Sequence, residues 1–375
     1  METDAILRAY ERSDDMKHTP YNGNKFYNGN EMLSHNAKYN IVISERNNGK
    51  SFWYNQKCVC DFFNDNKQFA YVKRYNDEVK NMKVDKYFQD VNFLKWLKSS
   101  YDLDGILADR DNLYFYNLVK GKRVKELQYG NYFSLQRDEE YKSLHYDEIG
   151  NIMWEEFIQK ERPYLSNEFK RFSGLVSTIA RGRDVNCYLL GNTIARDCPV
   201  LLEYGIDIFK VKQNELIIIN HRNANGTVKV AFYYAPQKST SGMFFGKAEK
   251  AIVGGEWDVD EQPHLFCDLK EVEKIYTFYV ITKLRQAFKC ILFVHPDYIG
   301  RFVYVYPFDY DEIDYTLGAD IFTDTFTVKE NYYMHPKRKR HEQLNELFRN
   351  DRFVFATDIC GTEFKRAIRN YNPFV

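Results

Sequence analysis

The segment from Tyr39 to Ser51 limits the possible fold more than any other part of the chain. Tyr39–Ser44 is an apolar run of strand length, and the residues from Ser51 onward have the pattern of a helix. Between them lies Ser44-Glu-Arg-Asn-Asn-Gly-Lys-Ser51, which matches the phosphate-loop pattern G-x-x-x-x-G-K-[ST] except that Ser44 stands in place of the first glycine. A strand, a glycine-containing loop and a helix in this order predict an anion site at a helix N-terminus.

Each residue of this loop has its own expected role toward a bound nucleoside triphosphate. Backbone N–H groups would surround the phosphates, and Gly49 lets the backbone approach them without a Cβ in the way. Lys50 would reach the β- and γ-phosphates, and the Ser51 hydroxyl would hold Mg²⁺. The alternative is a chance Gly-Lys-Ser at the start of a helix. The loop predicts ATP and Mg²⁺ as cofactors and the following nucleotide-binding residues: Ser44, Asn48, Gly49, Lys50 and Ser51.

A phosphate loop needs a carboxylate from a neighbouring strand to hold Mg²⁺, and many such enzymes add a Glu that polarises the attacking water. Two acidic pairs compete for these roles, Asp147-Glu148 and Glu155-Glu156. The residues before Asp147 make a poor buried strand, whereas 151–154 is a better apolar run. We therefore predict Glu155 as the carboxylate on the Mg²⁺ side and Glu156 as the base. The competing interpretation is a solvated acidic helix start.

Polar residues around another strand complete the predicted site. Val185–Leu190 has the composition of a strand, and Asn192 follows it, where a polar side chain can hold the lytic water and sense the γ-phosphate. Arg181 and Arg183 precede that strand, and an arginine at a subunit edge can neutralise transition-state charge on a neighbour's ATP. Any of these arginines could equally be a surface charge. Two further arginines are candidates for phosphate contact: Arg46 and Arg74.

The domain organisation follows from changes in pattern along the 375 residues, a length that exceeds one average domain. Strand-like runs separated by helix-length segments predict a mostly parallel α/β sheet within residues 1–236. Its last strands are expected at Phe209–Lys212, Glu215–Asn220 and Thr227–Tyr234, with a turn at Asn223–Gly226. Residues 237–270 are loop-rich and predict a linker subdomain. Residues 271–375 predict an α/β domain in which three consecutive strands precede a helix, a strand and a helix.

Composition excludes several classes of protein. Hydrophobic residues make up 44% and charged residues 28%, which excludes a disordered chain, a collagen-like repeat and a coiled-coil rod. No apolar run approaches the ~20 residues of a membrane span, and the N-terminus has no apolar signal segment, so we expect a protein that is not secreted. The scattered cysteines predict reduced thiols in a cytosolic protein. Lys+Arg and Asp+Glu are equal at 53 each, so nucleic acid would have to bind at local basic patches.

Four stretches of the chain, taken together, resemble a known family. They are residues 31–51, 68–75, 143–158 and 178–192, and they match roughly the first 200 residues of the chain well. The family is that of the DNA-packaging (encapsidation) ATPases of small short-tailed bacteriophages, within the terminase-like and FtsK/HerA-like ring motors. The resemblance implies a P-loop ATPase domain of the additional-strand (ASCE) class. It also implies an ATP-driven motor that translocates double-stranded viral DNA into a procapsid through the portal.

The resemblance also implies an assembly and a place in the cell. The subunits would form a homomeric ring, a pentamer, in the host cytoplasm and transiently at the procapsid vertex, where the portal protein binds. The family has Asp where Glu155 stands, and a small gap would exchange Arg181 with Arg183 at the trans-acting arginine position. The residues that fall on functional positions of the family are Arg46, Lys50, Ser51, Glu155, Glu156, Arg181 and Asn192.

The C-terminal domain of the family resembles RNase H, the nuclease fold of larger terminases. Two-metal cleavage needs several converging carboxylates. Here the first strand, Tyr276–Thr282, has none, and Asp358 is nearly alone at a later strand end. We therefore predict a nuclease-dead domain that docks or contacts nucleic acid. In relatives a packaging RNA bridges ATPase and portal, and the basic cluster Lys337–Arg340 is either a contact for such an RNA or a solvated loop.

Two other functions remain open from the sequence. One is a different P-loop ring motor, such as a helicase. The other is a nucleotide-binding adaptor with degenerate catalysis, which the departures at Ser44 and Glu155 would explain. ATP turnover with and without double-stranded DNA distinguishes these functions.

Overall fold

The structure, a computed structural model, describes residues 20, 27–159, 164–193, 196, 198–208, 210–223, 226–236, 259–282, 286–296, 300–313, 320–323 and 338–370. Its internal contacts divide the chain into two compact units. The first holds Met1–Ile194 and Val200–Glu256, and the second holds Ala195–Pro199 and Trp257–Val375. Of the expected linker subdomain, only residues 259–270 are described. The limits 1–236, 237–270 and 271–375 therefore stay a prediction.

The first unit is built on one nine-stranded sheet. Its strands are β1 (Tyr39–Ser44), β2 (Gln68–Lys73), β3 (Gly105–Asp109), β4 (Asn112–Val119), β5 (Lys122–Ser134), β6 (Ile149–Glu155), β7 (Asn186–Asn192), β8 (Glu215–Asn223) and β9 (Gly226–Tyr234). They lie in the order β3-β4-β5-β2-β6-β7-β1-β9-β8. Along the sheet, the five pairings that connect β5, β2, β6, β7, β1 and β9 are parallel. The pairings of β3 with β4, β4 with β5 and β8 with β9 are antiparallel. The predicted mostly parallel α/β sheet is confirmed.

Helices connect and cover these strands. In the described part of residues 1–236 they are α1 (Asn30–Ser34), α2 (Lys50–Asp65), α3 (Asn81–Tyr87), α4 (Val91–Tyr101), α5 (Glu168–Ala180) and α6 (Pro199–Glu203). Short 3₁₀ segments lie at Asn76–Glu78 and Leu135–Tyr141. None of the helices among the described residues combines the length and the apolar character needed to cross a membrane.

The positions of β1 and α2 follow from their sequences. β1 lies between β7 and β9 with Ile41, Val42 and Ile43 fully buried, as a continuous apolar run in a parallel sheet requires. α2 begins after Gly49, whose φ of +86° costs a glycine little. The parallel strands β1, β2, β6 and β7 end at one edge of the sheet. The polar groups that end or follow them therefore meet there, which is where ligands bind in open α/β sheets.

An aromatic cluster holds α2 against the sheet. Trp53 and Tyr54 of α2 are fully buried, with ring centroids 5.0 Å apart. The Tyr54 ring lies 4.8 Å from that of Tyr188 on β7. These contacts lie in the first turns of the helix, so they fix the start of α2, and with it the loop that precedes it, relative to β7.

The second unit contains a five-stranded sheet. Its strands are β10 (Glu273–Ile281), β11 (Ala287–His295), β12 (Gly300–Phe308), β13 (Asp320–Thr323) and β14 (Phe353–Phe355), in the order β13-β10-β11-β12-β14. β10, β11 and β12 are an antiparallel meander, and α7 (Arg338–Arg349), β14 and α8 (Asp358–Asn370) follow. The predicted order of three strands, helix, strand and helix is confirmed, with β13 as an additional strand. Of the basic cluster Lys337–Arg340, Lys337 lies outside the described residues and Arg338 begins α7.

Two features of the first unit differ from the sequence expectation. Of the expected strand Phe209–Lys212, Phe209 lies outside the described residues and residues 210–212 are not a strand. The Lys210 N–H donates to the Asp207 carbonyl oxygen at 3.0 Å. The insertion β3–β5 was not predicted. It adds three strands beyond β2, so that β2 is an interior strand of the sheet.

Candidate nucleotide site

A cavity of about 650 Å³ lies where β1, β2, β6 and β7 end, and the loop between β1 and α2 forms one wall. Of the predicted nucleotide-binding residues, Ser44 is the one that does not line it. The side chains and backbone around the cavity belong to Arg46, Asn47, Asn48, Gly49, Lys50, Ser51, Phe52, Lys73, Tyr87, Asp90, Asn92, Glu155, Glu156, Leu190 and Asn192. Cationic and carboxylate groups thus line one space.

Lys50 is held by β1 and β7. Its Nζ donates to Asn192 Oδ1 at 2.6 Å and to Ser44 Oγ at 3.1 Å. Ser44 is fully buried, and its own hydroxyl donates to the Glu45 carbonyl oxygen at 2.9 Å. Ser44, which replaces the first loop glycine, therefore accepts a hydrogen bond from Lys50 and helps to fix its position. Burial lowers the pKa of the Lys50 ammonium to about 8, with nearby carboxylates acting against that shift.

Ser51 and Glu155 meet at the same edge. The Ser51 hydroxyl donates to Glu155 Oε1, and the Tyr71 hydroxyl donates to Glu155 Oε2 at 3.4 Å. Burial raises the pKa of the Glu155 carboxyl, and the Lys73 ammonium opposes that shift. A buried carboxylate beside a hydroxyl offers two oxygen ligands of the kind that Mg²⁺ prefers, and a cation there would offset the cost of burying the charge. The donor set fits Mg²⁺.

Lys73 binds Glu156. The Lys73 Nζ lies 2.6 Å from Glu156 Oε2 and 3.9 Å from Glu155 Oε2. The Lys73 ammonium holds the pKa of the Glu156 carboxyl below its usual range, and Arg46 contributes in the same direction. Glu156 has a φ of +55°, and its side chain is 55% exposed. The Glu156 carboxylate is therefore ionised at the cavity, and in this conformation it forms an ion pair with Lys73.

Arg46 and Asn48 occupy different positions in the loop. Arg46 is exposed on the wall of the cavity. Asn48 is 1% exposed, its Nδ2 donates to the Pro236 carbonyl oxygen at 3.2 Å, and its own carbonyl accepts from the Tyr27 N–H at 2.8 Å. The Asn48 side chain thus fixes the loop, whereas the exposed Arg46 guanidinium can turn toward a bound anion.

Arg181 and Arg183 follow α5 and differ in what holds them. Arg183 Nη2 donates to the carbonyl oxygens of Ile179 (2.7 Å) and Tyr146 (2.9 Å), and Nη1 donates to that of Ile149 (3.2 Å). Arg181 is exposed, and its guanidinium contacts one carbonyl, that of Leu144 at 2.8 Å, and the His145 ring at 2.9 Å. Neither arginine lines the cavity of its own chain.

The two acidic pairs that competed in the sequence lie at opposite ends of β6. Glu155 is the last residue of the strand and Glu156 follows it, both at the cavity. Asp147 and Glu148 precede the strand, and Gln68 Nε2 donates to Glu148. The structure therefore brings Glu155 and Glu156 together with Lys50, Ser51 and Asn192, and leaves Asp147 and Glu148 outside.

Comparison with protein families supports the same interpretation. The model of the family described as podovirus DNA encapsidation protein (Gp16) matches residues 22–219, more than half of the chain. The chain belongs to this family. The resemblance predicted from the sequence is thereby confirmed. The matched residues include the loop, both acidic pairs and both arginines of the candidate site.

Individual relatives of this encapsidation family member come from Bacillus phages. The DNA packaging protein of Bacillus phage PZA is 27% identical over 268 residues, which is 68% of this chain and 72% of the relative. The DNA packaging protein of Bacillus phage phi29 is 30% identical over 184 residues, 48% of this chain and 50% of the relative. A chain of the bacteriophage Phi-29 viral genome packaging motor assembly matches in structure with a TM-score of 0.54 at 20% identity, over 92% of this chain and 99% of that chain. That structural match supports the fold.

Sequence reasoning missed Lys73 as a residue of the site. Lys73 is the last residue of β2, and β2 pairs in parallel with β6, which ends at Glu155. The signal that could have identified it is the rule that parallel strands end at one edge, applied to every predicted strand and not only to those with known motifs. Tyr71, two residues earlier on the same face of β2, was missed for the same reason.

Arg74 has a different role from the one expected of it. Its guanidinium is 1% exposed, and it forms an ion pair with the buried Glu168 at the start of α5, Nε to Oε2 at 2.5 Å and Nη2 to Oε1 at 2.7 Å. Nη2 also donates to the Phe157 carbonyl oxygen at 2.7 Å. The expectation that Arg74 contacts a phosphate is wrong because this guanidinium is fully engaged. It fixes the backbone just after Glu156.

Removing one partner of this ion pair should lower the free energy of unfolding more than removing both partners. Glu168→Ala leaves the Arg74 guanidinium buried without its carboxylate, and we expect a loss of roughly 3–5 kcal/mol in the free energy of unfolding. Arg74→Met combined with Glu168→Leu should recover most of that loss, because no charge stays buried. Urea unfolding of the three proteins measures the difference. As a control, Glu139→Ala removes the exposed partner of Lys142 and should leave the midpoint unchanged. Equal losses in the single and double variants would contradict the assignment.

Proposed function

We propose that the protein is an ATPase whose hydrolysis of ATP drives double-stranded viral DNA into a procapsid through the portal. The observation that carries the proposal is the Lys50 ammonium bound to Asn192 and Ser44 in a cavity that Glu155 and Glu156 also line. A buried cation beside a helix N-terminus suits a triphosphate, and carboxylates from the neighbouring strand suit Mg²⁺ and a lytic water. Membership in the encapsidation family supports DNA as the substrate of the motor.

In the proposed reaction the loop between β1 and α2 binds the phosphates. The carboxylates at the end of β6 act elsewhere: Glu155 would hold Mg²⁺, and Glu156 acts on the attacking water. Backbone N–H groups at the start of α2 and the Lys50 ammonium bind the β- and γ-phosphates, and Arg46 approaches from the cavity wall. Ser51 and Glu155 would hold Mg²⁺, which would supply charge neutralisation to the phosphates. Asn192 lies beside Lys50, where its amide reports the presence of the γ-phosphate. Lys50 stays protonated as it exchanges its bond to Asn192 for a phosphate oxygen.

Glu156 is the proposed base, and Lys73 controls its availability. The Lys73 ammonium, 2.6 Å from Glu156 Oε2, lowers the proton affinity of the carboxylate. Hydrolysis is therefore favoured when the Glu156 side chain, which is 55% exposed, turns from Lys73 to the water. A triphosphate in the cavity favours this exchange, because its negative charge competes with Glu156 for Lys73. ATP binding and activation of the base are thus linked through one lysine.

We assign the trans-acting arginine to Arg181. The Arg183 guanidinium donates to three carbonyl oxygens of its own chain. Arg181, in contrast, is exposed and does not line the cavity of its own subunit. An exposed arginine outside its own cavity can reach the site of a neighbouring subunit, and we propose that the active form is a ring of identical subunits, a pentamer. It would act at the procapsid vertex in the host cytoplasm with the portal protein and DNA as partners. A packaging RNA is a further proposed partner, through the C-terminal domain.

We propose that the C-terminal domain is RNase H-like and docks without cutting DNA. Asp358 accepts the Gln262 N–H at 2.9 Å and forms an ion pair with His264 Nε2 at 3.0 Å. These contacts give it a structural use at the start of α8. Among the residues that the structure describes, no group of three or more His, Cys, Asp or Glu side chains is arranged to hold a metal ion. Two-metal cleavage would need such a group.

Steady-state hydrolysis of ATP with and without double-stranded DNA tests the function. A packaging motor should hydrolyse ATP and respond to DNA, and it should translocate duplex DNA into procapsids without separating its strands. Strand separation in a helicase assay would replace the proposal with the helicase alternative. ATP binding without turnover in the assembled ring would favour the adaptor with degenerate catalysis.

The affinity for ATP should fall as the pH rises through about 8. The pKa of Lys50 is lowered to about 8, so the ammonium is present below that pH and is lost above it in the protein without nucleotide. Binding the phosphates then requires uptake of one proton, which weakens binding by at most tenfold per pH unit. The phosphates themselves are already ionised at pH 7. Binding of a fluorescent ATP analogue between pH 7 and 9.5 measures the effect, and Lys50→Met should bind weakly with a flat profile. A flat profile in the unmodified protein would contradict the role of Lys50.

A further inference from the structure

The hairpin between β4 and β5 extends beyond the rest of its sheet. β3 pairs with β4 only as far as Tyr116, and β2 pairs with β5 only from Gly130 onward. The pairs Leu118–Arg123 and Val119–Lys122 therefore belong to a two-stranded ribbon without a third strand. Residues 118–125, which we call the basic ribbon, are all exposed. They contain four cations and no acidic residue, in a chain whose charges balance overall.

Two of the four cations anchor the basic ribbon to the first unit. Arg123 Nη1 lies 3.2 Å from Asp85 Oδ2 on α3, with the guanidinium 4.9 Å from the Tyr116 ring centroid. Lys125 forms an ion pair with Asp109 on β3. An isolated two-stranded hairpin is marginally stable in water. These pairs hold the base of the ribbon and leave its tip projecting.

The other two cations lie at the tip, and their side chains have no partner within the part of the chain that the structure describes. Among the described residues, neither the Lys120 nor the Lys122 side chain has a hydrogen bond or an ion pair with any other group. Lys120 has a φ of +51° beside Gly121 at +74°, in a two-residue turn that favours Gly, Asn or Asp at both positions. A lysine in this conformation is strained, and such strain persists at sites where the side chain has a use. Apolar side chains flank the tip, with Leu118, Val119 and Val124 at 54%, 50% and 42% exposure.

We propose that the basic ribbon binds the phosphate backbone of the double-stranded DNA that the protein translocates. The cations without carboxylate partners complement a polyanion, and the major groove of DNA admits a two-stranded β-ribbon. Leu118, Val119 and Val124 then contact sugars and groove walls. A net-neutral chain needs such a local concentration of positive charge to hold DNA. The proposal rests on the proposed function and names the element that contacts DNA.

The salt dependence of DNA binding tests the basic ribbon directly. Removing one lysine that binds a phosphate should lower the slope of log K against log salt concentration by about 0.9, so Lys120→Asn with Lys122→Gln should lower it by about 1.8. The measurement uses the full chain, a short DNA duplex and a non-hydrolysable ATP analogue between 50 and 200 mM salt. The thermal midpoint should stay the same or rise, because Asn adopts the conformation of residue 120 with less strain. ATP turnover without DNA should not change.

A matched control removes the same charge elsewhere. Lys95→Gln with Lys170→Gln changes two exposed lysines on α4 and α5 and should leave the slope unchanged. An unchanged slope in the ribbon variant overturns the proposal while the function stands. If the ribbon variant keeps its DNA slope but loses packaging into procapsids, the ribbon contacts a protein and the proposal is overturned as well. If the unmodified protein neither hydrolyses ATP nor binds DNA, the proposed function itself fails.

Discussion

Glu156→Gln should reduce ATP turnover by roughly 10²- to 10⁴-fold while ATP binding is retained. The amide has the shape of the carboxylate but cannot accept the proton of the attacking water. Lys50, Ser51 and Glu155 are untouched by the change and still contribute to binding ATP. The expected result is therefore a fall in kcat with little change in KM. Single-turnover hydrolysis and equilibrium binding of a non-hydrolysable analogue measure the two quantities separately.

Glu148→Gln is the matched control for Glu156→Gln. Glu148 belongs to the acidic pair that precedes β6, and Gln68 is its hydrogen-bond partner at the opposite end of the strand from the cavity. The ATP turnover of the Glu148→Gln variant should equal that of the unmodified protein. If Glu156→Gln hydrolyses ATP at the normal rate, Glu156 is not the base. If Glu148→Gln is the variant that fails, the choice between the two acidic pairs is reversed.

Arg181→Ala should lower the turnover of the assembled ring by roughly 10³- to 10⁵-fold without weakening the fold. The Arg181 side chain is exposed, and its contacts with Leu144 and His145 contribute little to stability. Arg183→Ala should behave in the opposite way. It removes donors from three carbonyl oxygens, so the thermal midpoint should fall and any decrease in turnover should follow the decrease in folded protein.

Mixed rings distinguish an arginine that acts on a neighbour from one that acts within its own subunit. Arg181→Ala subunits keep an intact phosphate loop, and Lys50→Ala subunits keep Arg181. A mixture should regain part of the turnover, because Lys50→Ala subunits supply the arginine to Arg181→Ala sites. The absence of rescue at every mixing ratio, in rings shown to contain both subunits, would count against the assignment to the interface.

Local patterns in the sequence account for much of the candidate site. The segment 39–51 predicted β1, the loop and the start of α2, and the observed bounds of β1 agree with the prediction. The choice of Glu155 and Glu156 depended on the apolar run before them, and this pair now lies at the cavity. Both results use neighbours in sequence only. A continuous buried strand and a helix start each have short-range signals that survive without knowledge of the fold.

Other elements could not be predicted because their causes are distant in sequence. β3 and β4 contain short apolar runs, Ile106–Ala108 and Leu113–Tyr116, but nothing local in these runs indicates that the strands extend the sheet beyond β2. Phe209–Lys212 has strand composition, but the bond from Lys210 to Asp207 makes a turn there. Arg74 ends a strand as a phosphate-binding arginine would. The partner of Arg74, Glu168, lies 94 residues away, and no local pattern in the sequence indicates that the two form a pair.

The sequence by itself determined where a phosphate-binding loop stands, which strands are apolar on both faces and which charged residues follow them. Those properties depend on the order of residues along a few turns or strands. Only the tertiary structure decided which charged and polar groups meet: the ion pairs of Lys73 with Glu156 and of Arg74 with Glu168, and the hydrogen bond of Lys50 to Asn192. The physical reason is that an ion pair depends on distance in space, and the parallel order of β2, β6, β7 and β1 brings groups from remote parts of the chain to a single edge.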